Sequence, residues 1–178
     1  EGRKDEWIES GVFDANYCYW GFERIFDLGE KNINKNLKAI KHINKQTMCF
    51  ENHDTASDEY ENRYERKFGK NVCDAMLVVT FTCGCVPFIY NGNEIADSCR
   101  HSLWNNRFYG KNLCVDWSEA LTKDGKNRTA LVKSLIKIYH NISAINIGDI
   151  KVLTESADFT AYKKTHGDRE GLVIANMT

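Results

Sequence analysis

Apolar positions along the chain fall into short runs separated by long polar stretches. Val12 and Phe13 begin a run over 11–17 that predicts a strand. From Tyr19 to about Lys45 the pattern is helical and polar, with Phe22, Ile25 and Phe26 on the apolar side. Gly29 interrupts it, and Leu37, Ile40 and Ile43 mark a second helical piece. Residues 47–51 predict another strand, and the highly charged stretch 55–68 predicts a solvated loop or helix. Val72, Ala75, Met76 and Val79 then recur at i, i+3, i+4 and i+7, the signature of an amphipathic helix. Residues 86–90 read as a strand, with the single proline, Pro87, near its start, where a missing N–H is tolerated. The Asn- and Gly-containing connection over 91–126 is long for a compact domain and suits a substrate-facing loop. A helix over 128–144 carries Leu131, Leu135, Ile138 and Ile142 on one face.

Strands alternating with helices argue for parallel βα units and an α/β fold. After Gly148 the pattern changes. Residues 151–154, 159–162 and 172–175 read as short strands joined by polar turns, the start of an all-β unit. A chain of 178 residues is long enough for one domain with a sizeable core.

Charge narrows the function classes. There are 24 basic and 25 acidic residues, a net charge of −1, and no like-charge run stands out. Nucleic acid and anionic membrane surfaces therefore gain no electrostatic support as partners. No apolar stretch approaches the roughly 20 residues of a membrane span. The compartment is left open. Seven cysteines, several in apolar runs, predict buried free thiols. Cys83-Gly84-Cys85 lacks the two-residue spacer of metal and redox pairs, so no metal site is expected. Sequons at Asn127, Asn141 and Asn176 matter only in a secreted eukaryotic protein.

The chemistry-bearing pattern is the run from Thr47 to Asp54, an apolar strand ending in Asn52-His53-Asp54. Taken alone it reads first as a strand followed by a polar turn. A His-Asp metal phosphohydrolase would need these residues in a helical setting, which the β-like run before Asn52 opposes. Three further segments accompany it in order. Gly11-Val12-Phe13-Asp14-Ala15-Asn16-Tyr17 precedes it, with Glu1-Gly2 at the front. Cys85-Val86-Pro87-Phe88-Ile89-Tyr90-Asn91-Gly92-Asn93-Glu94 and Leu113-Cys114-Val115-Asp116-Trp117-Ser118 follow it.

This ordered set resembles the alpha-amylase family, glycoside hydrolase family 13, across nearly the whole chain. The resemblance implies the second half of a (β/α)8 TIM barrel over 1–147, followed by the start of a C-terminal β-sandwich domain over 148–178. A complete barrel takes roughly 250 residues. It also implies a retaining hydrolase of α-linked glucans such as starch and maltooligosaccharides, with two carboxyl groups about 5–5.5 Å apart doing the covalent chemistry. Glu1 fits the family's acid, with Glu6 and Glu9 as alternatives if the alignment slips. Asp54 fits the third carboxylate, His53 the histidine that binds sugar hydroxyls, and Asn52 equally a supporting group or the maker of a structural hydrogen bond. Tyr90, Asn91 and Glu94 fit loop-shaping positions. Trp104 and Trp117 are core anchors by default or sugar platforms, and Arg63 or Arg100 is a candidate partner for a site carboxylate. The family's nucleophile would precede Glu1, so no position here takes that role and the isolated chain is expected to be inactive. No cofactor is visible; the resemblance admits calcium in a full-length enzyme, held by first-half residues outside this chain. Expected partners are an oligosaccharide or polysaccharide and either the other half of the barrel or a second copy. The alternative from another class is a non-catalytic amylase-like scaffold or binding subunit.

Overall fold

Three two- or three-residue parallel strands form the first sheet of the computed structural model, which describes residues 5–17, 33–53, 56, 63–100, 114–156 and 158–178. They are β1 (Asn16–Tyr17), β2 (Gln46–Met48) and β3 (Val86–Pro87), in that order across the sheet. The register pairs Tyr17 with Thr47 and Thr47 with Val86. The segments between and around them hold α1 (Asp5–Glu9), α2 (Ile33–Ala39), α3 (Tyr64–Lys67) and α4 (Lys70–Thr82). Two more helices follow, α5 (Lys123–Asn141) and α6 (Ser143–Ile147). The chain then makes an antiparallel meander of β4 (Asp149–Val152), β5 (Phe159–His166) and β6 (Arg169–Asn176). His166 faces Arg169 across a two-residue turn, where Gly167 takes the left-handed conformation that a tight hairpin requires. The expected α/β order with a β-rich end is present.

Helix α4 is the centre of the core. Its Val72, Cys73, Met76, Leu77, Val79 and Phe81 are buried together with Met48 and Phe50 from the β2 segment and Val132 and Leu135 from α5. Tyr162, Val173 and Ala175 of the antiparallel sheet belong to the same cluster. Side chains cross between the two parts as well. The Tyr162 hydroxyl lies 2.5 Å from Thr82 Oγ1, and the ammonium of Lys164 donates to the Cys83 carbonyl at 3.0 Å. The Asn34 amide of α2 donates to the carbonyls of Ser156 (2.8 Å) and Phe159 (3.0 Å), and the Thr160 hydroxyl donates back to Asn34 Oδ1.

Several expected elements differ in extent. The strand expected over 11–17 begins only at Asn16. Helix α1 ends in a turn at Gly11, where Val12 and Phe13 donate to the Trp7 carbonyl, and both side chains are exposed. The strands expected over 47–51 and 86–90 pair over 46–48 and 86–87 only. The last long helix starts at Lys123, not 128, because the Thr122 hydroxyl caps it by accepting from Gly125 N at 3.0 Å. Its inner face holds Arg128, Val132 and Leu135, while Ile142 lies beyond its end and is exposed. The charged stretch 55–68 is not solvated throughout: Arg63, Tyr64 and Glu65 are buried. Of the six described cysteines, all free, Cys49, Cys73, Cys83 and Cys85 are buried; Cys18 lies outside the described residues. Among the described residues no helix is long and apolar enough to cross a membrane.

Candidate functional site

Because the three strands run parallel, the residues that follow them gather at one end of the sheet. Cys49, Phe50, Glu51 and Asn52 continue from β2 as buried chain, and His53 emerges exposed. Asn52 is turned inward: its Nδ2 donates to the Tyr17 hydroxyl at 2.6 Å, tying the end of β2 to the end of β1. The same hydroxyl lies 3.6 Å from Cys49 Sγ, and the Tyr17 ring meets Phe88, just past β3, edge-on with centroids 6.3 Å apart. Asn52 thus acts at the strand ends as a lateral tie.

A buried polar network lies directly behind this tip. Glu51 Oε2 accepts from Arg63 Nε at 3.1 Å and from Asn93 Nδ2 at 2.8 Å, and Oε1 accepts from the Tyr64 backbone N–H at 2.8 Å. Arg63 Nη1 reaches Asp97 Oδ2 at 3.1 Å and the Cys99 carbonyl at 3.0 Å. Asp97 Oδ1 in turn accepts from the backbone N–H of Cys99 (3.1 Å) and of Asp116 (3.3 Å). Glu51, Arg63 and Asp97 are all fully buried, where a charge survives only if it is paired and hydrogen-bonded. The Tyr90 ring lies under the guanidinium, 5.7 Å from its carbon, and burial pushes the Tyr90 phenol pKa up. A second buried arginine, Arg128 of α5, bonds Glu65 at 2.5 Å, Asp74, the Asn93 carbonyl at 3.0 Å and the Lys70 carbonyl at 3.1 Å.

Of the expected site residues, Asn52 and His53 sit at the strand end. Glu1 and Asp54 lie outside the described residues, as does Trp104. Glu6 is exposed on α1, and Glu9 meets His42 Nε2 at 3.2 Å. His42 precedes β2, so Glu9 belongs to the opposite end of the sheet from His53, which removes it as an alternative acid. Glu94 shapes its loop as expected, accepting from Gly92 N at 2.8 Å. Trp117 is 56% exposed and anchors no core. Arg63 does pair with carboxylates, but they are Glu51 and Asp97, neither of them among the expected site residues. Glu51 closes the apolar run Met48-Cys49-Phe50 and is followed by polar residues, so nothing local marks it as facing inward. Among the described residues no three His, Cys, Asp or Glu groups gather to hold a metal ion. A cavity of about 500 Å3 opens elsewhere, beside His42, Ile43, Gly84 and Asp149, at the starts of the strands and away from His53.

No protein-family model matches the chain, and no curated protein sequence matches it. Solved structures do. The chain is similar to a cyclic alpha-maltosyl-(1→6)-maltose hydrolase from Arthrobacter globiformis, with a TM-score of 0.71 at 17% identity over 96% of this chain and 39% of that one. It is similar to an Anoxybacillus alpha-amylase, with a TM-score of 0.67 at 18% identity over 97% and 38%. It is also similar to a Glu-to-Gln variant of AmyP in complex with maltotriose, with a TM-score of 0.68 at 12% identity over 99% and 44%. The chain therefore spans about two fifths of the length of the structures it matches. At these identities the likeness is one of fold, to alpha-amylase-family structures with mixed helices and sheets.

Proposed function

We propose that this chain belongs to the alpha-amylase family, as the C-terminal part of a retaining glycoside hydrolase acting on α-linked glucans. In this reading residues 1–147 complete the second half of a (β/α)8 barrel and 148–178 open a C-terminal β domain. The observation that carries it is the position of Asn52 and His53: they follow a parallel strand, at the end where barrel enzymes gather their chemistry. The amylase-type fold of the neighbours supports the same assignment.

His53 then donates to sugar hydroxyls, and Asp54 faces the positive charge that develops on the sugar ring. Charge-assisted bonds of this kind are stronger than neutral ones. Asn52 supports both by holding the strand end to Tyr17. Glu1 acts as the acid that protonates the leaving oxygen and then as the base toward water. The nucleophilic carboxylate comes from chain outside residues 1–178.

Two measurements test this. Purified 1–178 is expected to show no turnover of maltotriose, because covalent catalysis lacks its nucleophile. A polypeptide that also carries the preceding barrel strands is expected to hydrolyse it with retention at the anomeric carbon. There Asp54→Asn lowers kcat by about 1,000-fold or more, with the melting temperature almost unchanged. Turnover by 1–178 alone that survives Asp54→Asn would sink the assignment. Maltotriose binding without turnover in the longer polypeptide would favour the non-catalytic scaffold.

A further inference from the structure

We infer that Arg63 is a positioning residue: its buried guanidinium fixes the end of β2 against the loop after β3 and thereby sets where His53 is presented. The inference rests on the functional reading above for its consequence in catalysis, and on the buried network alone for its geometry.

Backbone pairing between the parallel strands is short. It covers two residues on each side of β2 and ends at Met48, five residues before His53. One further backbone bond, from Phe88 N to the Met48 carbonyl at 2.9 Å, closes the ladder. Beyond it, the described bonds that bind the 49–53 segment laterally run through side chains. Asn52 ties it to β1 through Tyr17. On the β3 side Glu51 takes Asn93 directly, and Arg63 carries the connection on to Asp97 and the Cys99 carbonyl. One guanidinium therefore bridges two carboxylates on two different strand-end segments. Its planar fork makes this possible, since Nε addresses Glu51 while Nη1 addresses Asp97 and Cys99. A lysine ammonium at this site keeps the charge but not the two-directional geometry. Glu51 is two residues from His53, so a shift of its carboxylate moves the tip with little to absorb it. Misplacement on the order of 1 Å at a reacting group costs on the order of 100-fold in rate.

Arg128 supplies the matched control. It is as buried as Arg63 and holds two carboxylates, Glu65 and Asp74, but it joins helices α3, α4 and α5 and reaches the 49–53 segment only indirectly, through the Asn93 carbonyl, among the described bonds. The experiment compares Arg63→Lys with Arg128→Lys in a polypeptide that includes the preceding barrel strands, and reads kcat and KM on maltotriose together with the melting temperature. Both variants are expected to melt earlier. Arg63→Lys is expected to lose at least about 10-fold in kcat, and Arg128→Lys to stay within about twofold. Equal losses of kcat in the two variants, or an unchanged kcat in Arg63→Lys, would overturn the inference. A second readout needs no activity. In 1–178 labelled for NMR, the His53 ring Cε1–H resonance is expected to move in Arg63→Lys and to hold in Arg128→Lys. If the longer polypeptide does not turn over maltotriose at all, the functional reading fails while this resonance still decides the positioning role: an unmoved His53 signal in Arg63→Lys rejects it.

Discussion

Lys164 carries an ammonium into the junction between α4 and the antiparallel sheet, fully buried, with the Cys83 carbonyl as its acceptor. Burial holds its pKa below the ordinary 10.5, while negative charge on the neighbouring Cys83, Asp149 and Cys85 side chains acts in the other direction. A lowered amine pKa means that the folded chain binds this proton less tightly than the unfolded chain does. Lys164 therefore costs stability at neutral pH, and the cost shrinks as pH rises through its folded value toward 10.5. Lys164→Met keeps the volume and removes the charge. It is expected to raise the melting temperature by a few degrees near neutral pH, with the gain narrowing in melts at alkaline pH. Asn34 is the opposite case, a buried amide whose two donors and one acceptor are all used. Asn34→Ala strands two carbonyls and a hydroxyl and is expected to cost about 2–3 kcal/mol in urea unfolding. Neither role was legible in the sequence. Asn34 and Thr160 are 126 positions apart, and Lys164 and Cys83 are 81 apart, so no local pattern records the pairing. Asn52 and His53 were legible because their meaning lies in adjacent residues at the end of an apolar run. Arg63 was only a candidate, because its partners come from two separate segments, one after β2 and one after β3.

At the scale of elements, apolar periodicity located α4 well. Val72, Met76 and Val79 are buried as their spacing predicted, and Ala75 packs against the same cluster. The start of α5 was missed because residues 123–127 are polar and carry no period. It is fixed instead by the Thr122 cap and by close approach. A Cβ on Gly125 would stand 2.0 Å from the Glu119 carbonyl oxygen, in the turn Trp117–Leu121 that lies against this helix. Helix propensity alone favours Ala over Gly by about 1 kcal/mol. The contact reverses that sign, so Gly125→Ala is expected to destabilise, and a rise in the urea midpoint would contradict the close approach. Thr122→Ala is expected to cost about 1 kcal/mol by the same measurement, through loss of the cap. The strands were read too long because an apolar run marks burial. Cys49 and Phe50 are buried beyond the point where β2 stops pairing, and Ile89 packs against the core past the end of β3.

For the whole molecule, the order of motifs carried the fold class, and the fold of the solved neighbours agrees with it. Among the described residues β1 and β3 each pair on one side only, and Val12, Phe13 and Phe88 are exposed nearby. Open parallel edges beside apolar surface favour association. Purified 1–178 is therefore expected to run as a concentration-dependent oligomer in size-exclusion chromatography with light scattering; a monomer at every concentration would contradict this. The change of pattern at Gly148 was also legible, but not what happens across it. Tyr162 and Lys164 reach back to Thr82 and Cys83, and Gly84 is bare at that point: a Cβ there would meet the lysine nitrogen at 2.4 Å. This bears on how such chains can be recombined. A chimera spliced at Gly148 would import a foreign sheet whose residues at these positions face a groove shaped for a lysine and a tyrosine. The heritable unit is β4–β6 together with the Thr82–Gly84 turn, two stretches more than sixty residues apart that must travel as a pair.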